Sequence, residues 1–388
     1  MSLIMIIMQR IVNLKILMLM IVWIFIGCTK SKHSLPNSYG KMIADLKVDE
    51  VVVPFHENSL GLKSYSTTTC WEMDSVSAFV GYNHYTHSLD FFSLTEGEMI
   101  RFIQLSKDGP NGIYDKVCAI YPYKEDSIWV YDHVNFYLID SNGLVRKKLF
   151  FGDVDLIKVD TNHRMHTAKF AYNPQRHSLL ILVAKDKGFA VNEYSVENGR
   201  ILHEFHLQPS ICNVDGDRKF ADMSCPNVSF SDKKIVYNYP YESTIYVLNL
   251  QTKEHLKYGA ASQYCTNIAG ECSNLNDYSA WEKHGMVNTH FFDVMYLYGK
   301  KVYVRPHLKG VEYNTNKSLR ELGDSRELYL MFFDENFQII GEFKMKDRTY
   351  SYFTAWCALS NGLLLFKDNS LSEIEEYDKM LVDIIKIP

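Results

Sequence analysis

The chain has 388 residues, 47% of them hydrophobic and 14% aromatic, and a formal net charge of −5. That length supports a large core. The mildly acidic balance, with no basic block beyond Arg146-Lys147-Lys148, argues against a nucleic-acid partner.

The N-terminus divides into three parts. Arg10 and Lys15 supply positive charge, Ile16 to Ile26 form an apolar run of eleven residues, and Gly27 precedes Cys28. Eleven residues is too short to cross a bilayer as a helix, which takes about 20. The order matches a secretory signal instead. Phe25-Ile26-Gly27-Cys28 resembles the bacterial lipobox, with Phe25 where Leu is usual; an uncleaved signal anchor is the competing reading. The lipobox implies a signal peptide over 1–27, lipidation of Cys28, and an exported protein held to the cell envelope by its acyl chains, expected at the outer membrane. Residues 28–45 are polar, with Pro36 and Gly40 and no periodicity, and read as a tether. Their basic charge leaves the facing direction open.

Residues 46–388 read as one repeating domain. A strand pattern over 46–55 comes first. Six segments then share one plan, a strand-like run, an Asp/Asn/Gly turn and a second run: 89–106, 136–152, 192–208, 245–260, 328–345 and 372–388. Turns such as "SNG", "ENG" and "DEN" mark hairpins because those residues tolerate positive φ. A further strand precedes each hairpin ("SAFVGYN", "SIWVYDH", "SLLILVA", "KIVYNYP", "KVYVRPH", "GLLLFKD"), and in most units a shorter apolar run precedes that. Four strands per unit, recurring every 44 to 56 residues with one gap of 83, predict an all-β fold, a six-bladed β-propeller. The 46–55 strand is expected to close the ring on the last blade, or to be a remnant of a seventh.

The long gap holds two insertions, 262–285 and 308–326, whose Tyr278 and Trp281 favour an ordered cap. Cys265 with Cys272 and Cys212 with Cys225 are the plausible disulfides of an exported chain. Cys118 and Cys357 lie on innermost-strand patterns and read as small core residues.

With strands lettered a to d from the axis outward, d–a and b–c loops emerge at one end of a propeller and a–b and c–d turns at the other. The first end collects His84, His87, His133, His163, His166 and His307, together with Asn135, Tyr241, Arg305 and Arg348. Such a face suits an anionic or sugar-like ligand, with the arginines able to grip a carboxylate in a fork. Equally, each arginine has an acidic neighbour to pair with. Histidine pairs at i, i+3 can ligate a soft cation, but no Asp, Glu or Cys joins them at ligand spacing.

Gly109-Pro110-Asn111-Gly112, leading to Ile128-Trp129-Val130, resembles an uncharacterised Bacteroidetes lipoprotein family of six-bladed propellers. The resemblance implies fold and location and no activity. No GxSxG, P-loop, HExxH or GxGxxG motif occurs. Calcium is the one cofactor considered: Asn83, Asn135, Asn162 and Glu242 fall at the end where calcium-dependent six-bladed hydrolases hold their ion. Two readings follow. The favoured one is a lipid-anchored module that binds a glycan, peptide or partner protein through the histidine-bearing face. The other is a metal-assisted, calcium-type hydrolase or lyase using the same face.

Overall fold

A computed structural model describes residues 35–54, 62–73, 76–152, 157, 170–215, 219–231, 233–351, 353–354, 356–373 and 378–388. Leu35–Pro388 forms one compact unit. Strand β1 (Lys47–Pro54) comes first. Blade one is β2 (Thr68–Met73), β3 (Val76–Asn83), β4 (Ser88–Ser93) and β5 (Met99–Gln104). Blade two is β6 (Ala119–Lys124), β7 (Ser127–Tyr131), β8 (Phe136–Ile139) and β9 (Val145–Leu149). Blade three is β10 (Phe170–Asn173), β11 (Ser178–Ala184), β12 (Phe189–Ser195) and β13 (Ile201–His206). Blade four is β14 (Asn227–Phe230), β15 (Lys234–Asn238), β16 (Ile245–Asn249) and β17 (His255–Tyr258). Blade five is β18 (His290–Phe291), β19 (Met295–Leu297), β20 (Val302–Leu308), β21 (Leu328–Phe333) and β22 (Ile339–Lys344). Blade six is β23 (Trp356–Ala358), β24 (Gly362–Phe366) and β25 (Lys379–Lys386), completed by β1.

The burial pattern explains the two kinds of strand in the sequence. Middle strands such as β4, β11, β12, β21 and β24 are buried at every residue, because neighbouring blades cover both faces. Outer strands alternate instead, as in β5 and β9. Among the described residues, six apolar clusters each span two adjacent blades. Phe292, Leu330, Trp356 and Leu363 join blades five and six; Val53, Phe79, Phe92 and Phe366 join six and one. Each blade is therefore stabilised by its neighbours and has no core of its own.

The c–d hairpin turns share one chemistry. A side-chain oxygen at the turn's start accepts backbone N–H groups: Ser93 from Thr95 and Glu96, Asp140 from Asn142 and Leu144, Ser195 from Glu197, Asn249 from Gln251 and Thr252, Asp334 from Asn336 and Gln338. Three or four residues later one residue takes positive φ: Gly97 (69°), Gly143 (79°), Gly199 (69°), Lys253 (59°) and Phe337 (60°). This is the turn code that marked the hairpins in the sequence.

Ring closure follows the expectation for the first strand and corrects the last hairpin. β1 pairs antiparallel with β25 from Lys47↔Lys386 to Pro54↔Lys379, as the fourth strand of blade six and not an extra edge. The described part of segment 372–388 accordingly contributes one strand, β25, and residues 374–377 lie outside the described residues. The stretch read as a tether to residue 45 is, from Asn37 onward, docked on the propeller. Asn37 bridges to Gly259 and Tyr39 to Ile339, both in parallel, and the Gly40 and Ile43 N–H groups donate to the carbonyls of Ile339 and Ile340. Outer strands have a free row of backbone groups, and this strap satisfies part of it on blades four and five.

The insertions form an ordered cap on blade five. Helix α1 (Tyr278–Val287) starts at Asp277, whose carboxylate accepts the Ser279 N–H; α2 (Leu319–Asp324) starts with a capping box between Ser318 and Glu321. Buried Arg326 ties cap to blade, donating to the carbonyls of Lys309, Gly285, Asn288 and Leu308. The disulfide in the structure differs from both expected pairs. It joins Cys70 to Cys357, 287 residues apart with Cα atoms 5.7 Å apart, linking the inner strands of the first and last blades. Cys212, Cys225, Cys265 and Cys272 remain thiols. Cys272 turns its sulfur to the Asn274 carbonyl, while Cys265 sits with Ser262 and Glu342, and burial pushes its thiol up to about 11. Neither of the two expected pairs is bonded.

Candidate functional site

The described residues expected to form a binding face are each placed by contacts of their own. His84 is exposed, its ring centroid 4.0 Å from that of Tyr85. His87 is buried: its Nε2 lies 2.8 Å from the Ile113 carbonyl, so Nε2 carries the proton and Nδ1 accepts the Tyr82 hydroxyl at 2.8 Å. Burial holds its pKa low, with the Ile113 carbonyl working the other way. His133 is exposed at φ 72°, and its carbonyl accepts the Tyr131 hydroxyl at 2.7 Å. Tyr241 is buried against Phe220, ring centroids 3.8 Å apart. Arg348 is exposed on a positive-φ turn. His163, His166, Asn162 and Cys28 lie outside the described residues.

Arg305 and His307 were assigned to a loop, and the structure corrects this: both lie in β20 and are fully buried. Alternation along the strand sends both toward blade four. Arg305 donates to the carbonyls of Ser243 and Ala260, each at 2.6 Å, with its guanidinium 4.5 Å from the Phe291 ring centroid. Burial lowers its pKa to about 10, against the pull of Glu342 and Glu242, so it stays charged. His307 donates from Nε2 to Glu342 at 2.9 Å and stacks between Phe291 and Tyr329. Arg305 therefore stitches blade five to blade four, whereas the partners of His307 all lie in blade five; both side chains are fully buried and closed to a ligand.

The described oxygen donors considered for calcium are likewise engaged by neighbouring groups. Asn83 accepts the N–H groups of Tyr85 and Thr86 and donates to Asp90 at 3.1 Å. The Asn135 side chain donates to the Tyr137 hydroxyl at 3.2 Å. Glu242 accepts from Thr244 N–H and Tyr246 hydroxyl, both at 2.7 Å, and from Ser210 at 3.3 Å; burial raises its pKa. Among the described residues, no group of three or more His, Cys, Asp or Glu side chains is placed to hold a metal ion.

The site that the fold does assemble lies on the axis. The inner strands of all six blades enclose a cavity of about 360 Å³, lined by Thr68, Thr69 and Cys70 from β2, Tyr121 from β6, Phe170 and Ala171 from β10, Val228 to Phe230 from β14, Met295 and Tyr296 from β19, and Cys357 and Ala358 from β23. Ser231, Lys234, Tyr298 and Tyr303 line it toward the end of the ring that carries the a–b turns. That volume falls within the ~300–1,000 Å³ usual for small-molecule sites. Lys234 Nζ stands 5.0 Å from the Tyr303 ring centroid and 5.3 Å from that of Phe337. Burial pushes its pKa down, and Glu335 works upward. Sequence reading missed this site because each blade contributes only one to a few residues to it, from its innermost strand and the turn that follows. The signal available was the "a" run of each repeat, such as "AIYPYK" or "NVSF".

Fold and cavity together define a six-bladed β-propeller with an axial pocket. The chain belongs to the family described as domain of unknown function DUF4221, whose model matches residues 46–344. The resemblance read from the sequence therefore holds: Gly109 makes its turn at φ 73°, its carbonyl accepting the Gly112 N–H at 3.0 Å, and Trp129 is buried in β7. A family member from Bacteroides vulgatus shares the fold at a TM-score of 0.73 and 16% identity, over 90% of this chain and 99% of that one. The "putative exported protein" of Bacteroides fragilis aligns at a TM-score of 0.55 and 11% identity, over 91% of this chain and 98% of that one. No curated protein matches the chain.

Proposed function

We propose that this protein is a lipid-anchored binding module of the bacterial cell envelope that takes a small molecule into its axial cavity. The observation that carries the reading is the cavity itself, which every blade helps to build and in which aromatic rings and hydroxyl groups face one space. The lipid anchor is supported by the lipobox-like Phe25-Ile26-Gly27-Cys28, and export by the name of the Bacteroides fragilis relative.

Two measurements test the parts separately. Mass spectrometry of the full chain made in a bacterial host should find an acylated Cys28 as the first residue, and Cys28→Ser should abolish it; an intact N-terminus refutes the anchor. Thermal unfolding of the protein against a panel of organic acids, dipeptides and monosaccharides should show at least one class that raises Tm. That rise should vanish in Ala358→Trp, which fills the cavity. No shift with any class refutes the binding reading.

A further inference from the structure

We propose that the ligand of the axial cavity is an organic anion, a flat and largely apolar molecule with one negative charge that Lys234 receives. The inference rests on the cavity being a ligand site.

The wall decides the body of the ligand. Tyr121, Phe170, Phe230, Tyr296, Tyr298 and Tyr303 supply rings from four blades, and Val228, Val294 and Met295 fill between them. Such rings favour a planar apolar partner that can stack or meet them edge-on. Lys234 decides its charge. It is the one ionised side chain among the described lining residues, and no carboxylate lines the space with it. Its ammonium rests against two aromatic faces and forms no hydrogen bond or ion pair among the described residues.

Among the described residues, Glu335 and Glu72 approach the same mouth, and both are held by other groups. Glu335 accepts the Tyr296 hydroxyl at 2.9 Å. Glu72 accepts the Tyr298 hydroxyl at 2.9 Å and the Ser360 N–H and hydroxyl at 2.6 and 2.7 Å. Lys234 is thus partly desolvated beside the cavity, with no counter-ion in contact among the described residues. A half-buried ammonium in that state costs free energy, which an entering anion recovers and a neutral molecule does not. A cation would meet the uncompensated ammonium and be repelled.

The test uses calorimetric titration of the full chain in a non-ionic detergent with two probes, naphthalene-2-sulfonate and the neutral naphthalene-2-methanol. Lys234→Met keeps the aliphatic contact with the rings and removes the charge. The sulfonate should bind more tightly than the alcohol, and Lys234→Met should weaken the sulfonate at least tenfold while leaving the alcohol unchanged. Equal binding of both probes, insensitive to Lys234→Met, overturns the anion assignment and leaves the cavity as a ligand site. Failure of both probes to bind, or binding that survives Ala358→Trp, overturns the cavity reading as well. Circular dichroism of each variant confirms that loss of binding is not loss of fold.

Discussion

Arg305 shows how the same residue reads differently in sequence and in the fold. It stands near the end of the strand-like run "KVYVRPH", where the repeat places the b–c loop and so an accessible cation. In the propeller it is buried, its guanidinium bonded to the Ser243 and Ala260 carbonyls of blade four and packed on Phe291 and Phe333. Pro306 fits within β20 because the neighbouring inner strand is interrupted there: β18 ends at Phe291 and β19 begins at Met295. Removing the cation leaves two carbonyls without their donor and Glu242 and Glu342 without its field. Arg305→Ala should therefore lower stability by about 3–5 kcal/mol. The check is the urea midpoint of the variant at neutral pH; a change below about 1 kcal/mol would show that the guanidinium is not the bond between these blades.

At the scale of the element, local chemistry was legible and connectivity only partly so. Five c–d turns carry their own instructions: an oxygen-bearing residue to accept N–H groups and a residue at positive φ. Lys253 meets the second demand poorly, since a side chain at φ 59° is strained. Lys253→Gly should stabilise the protein by up to about 1 kcal/mol, the relief outweighing glycine's entropy cost. Thermal denaturation of the pair settles it, with a fall in Tm contradicting the turn assignment. The strap over 37–43 was not legible. Its residues have no strand pattern, and their conformation is set by the outer strands on which they lie. Gly259 permits this, because a Cβ there would stand 2.2 Å from the Pro36 carbonyl oxygen.

The propeller of Leu35–Pro388 is a ring, and its seam between blades six and one is closed twice. On the outside β1 pairs with β25 over eight residues, supported by the Lys386–Asp49 ion pair at 2.7 Å and by Lys367 with Glu50. On the inside Cys70 bonds to Cys357. A cross-link spanning 287 residues limits the unfolded chain strongly, on the order of 5 kcal/mol in the chain-entropy treatment. Cys70→Ala should lower the denaturant midpoint by an amount approaching that. Reductant should lower the wild-type midpoint similarly and leave the variant unmoved; a wild type indifferent to reductant would show that the bond does not hold the seam. The sequence by itself determined the blade number, the hairpin turns of the first five blades and the closing role of 46–55, because each depends on local periodicity and repeated turn chemistry. Only the tertiary structure decided how blade six is completed, which cysteines pair, that Arg305 is an interblade bond and His307 a buried residue of its own blade, and that the cavity lies on the axis. Those features arise between residues dozens to hundreds of positions apart, and no local pattern records which of them the closed ring brings together.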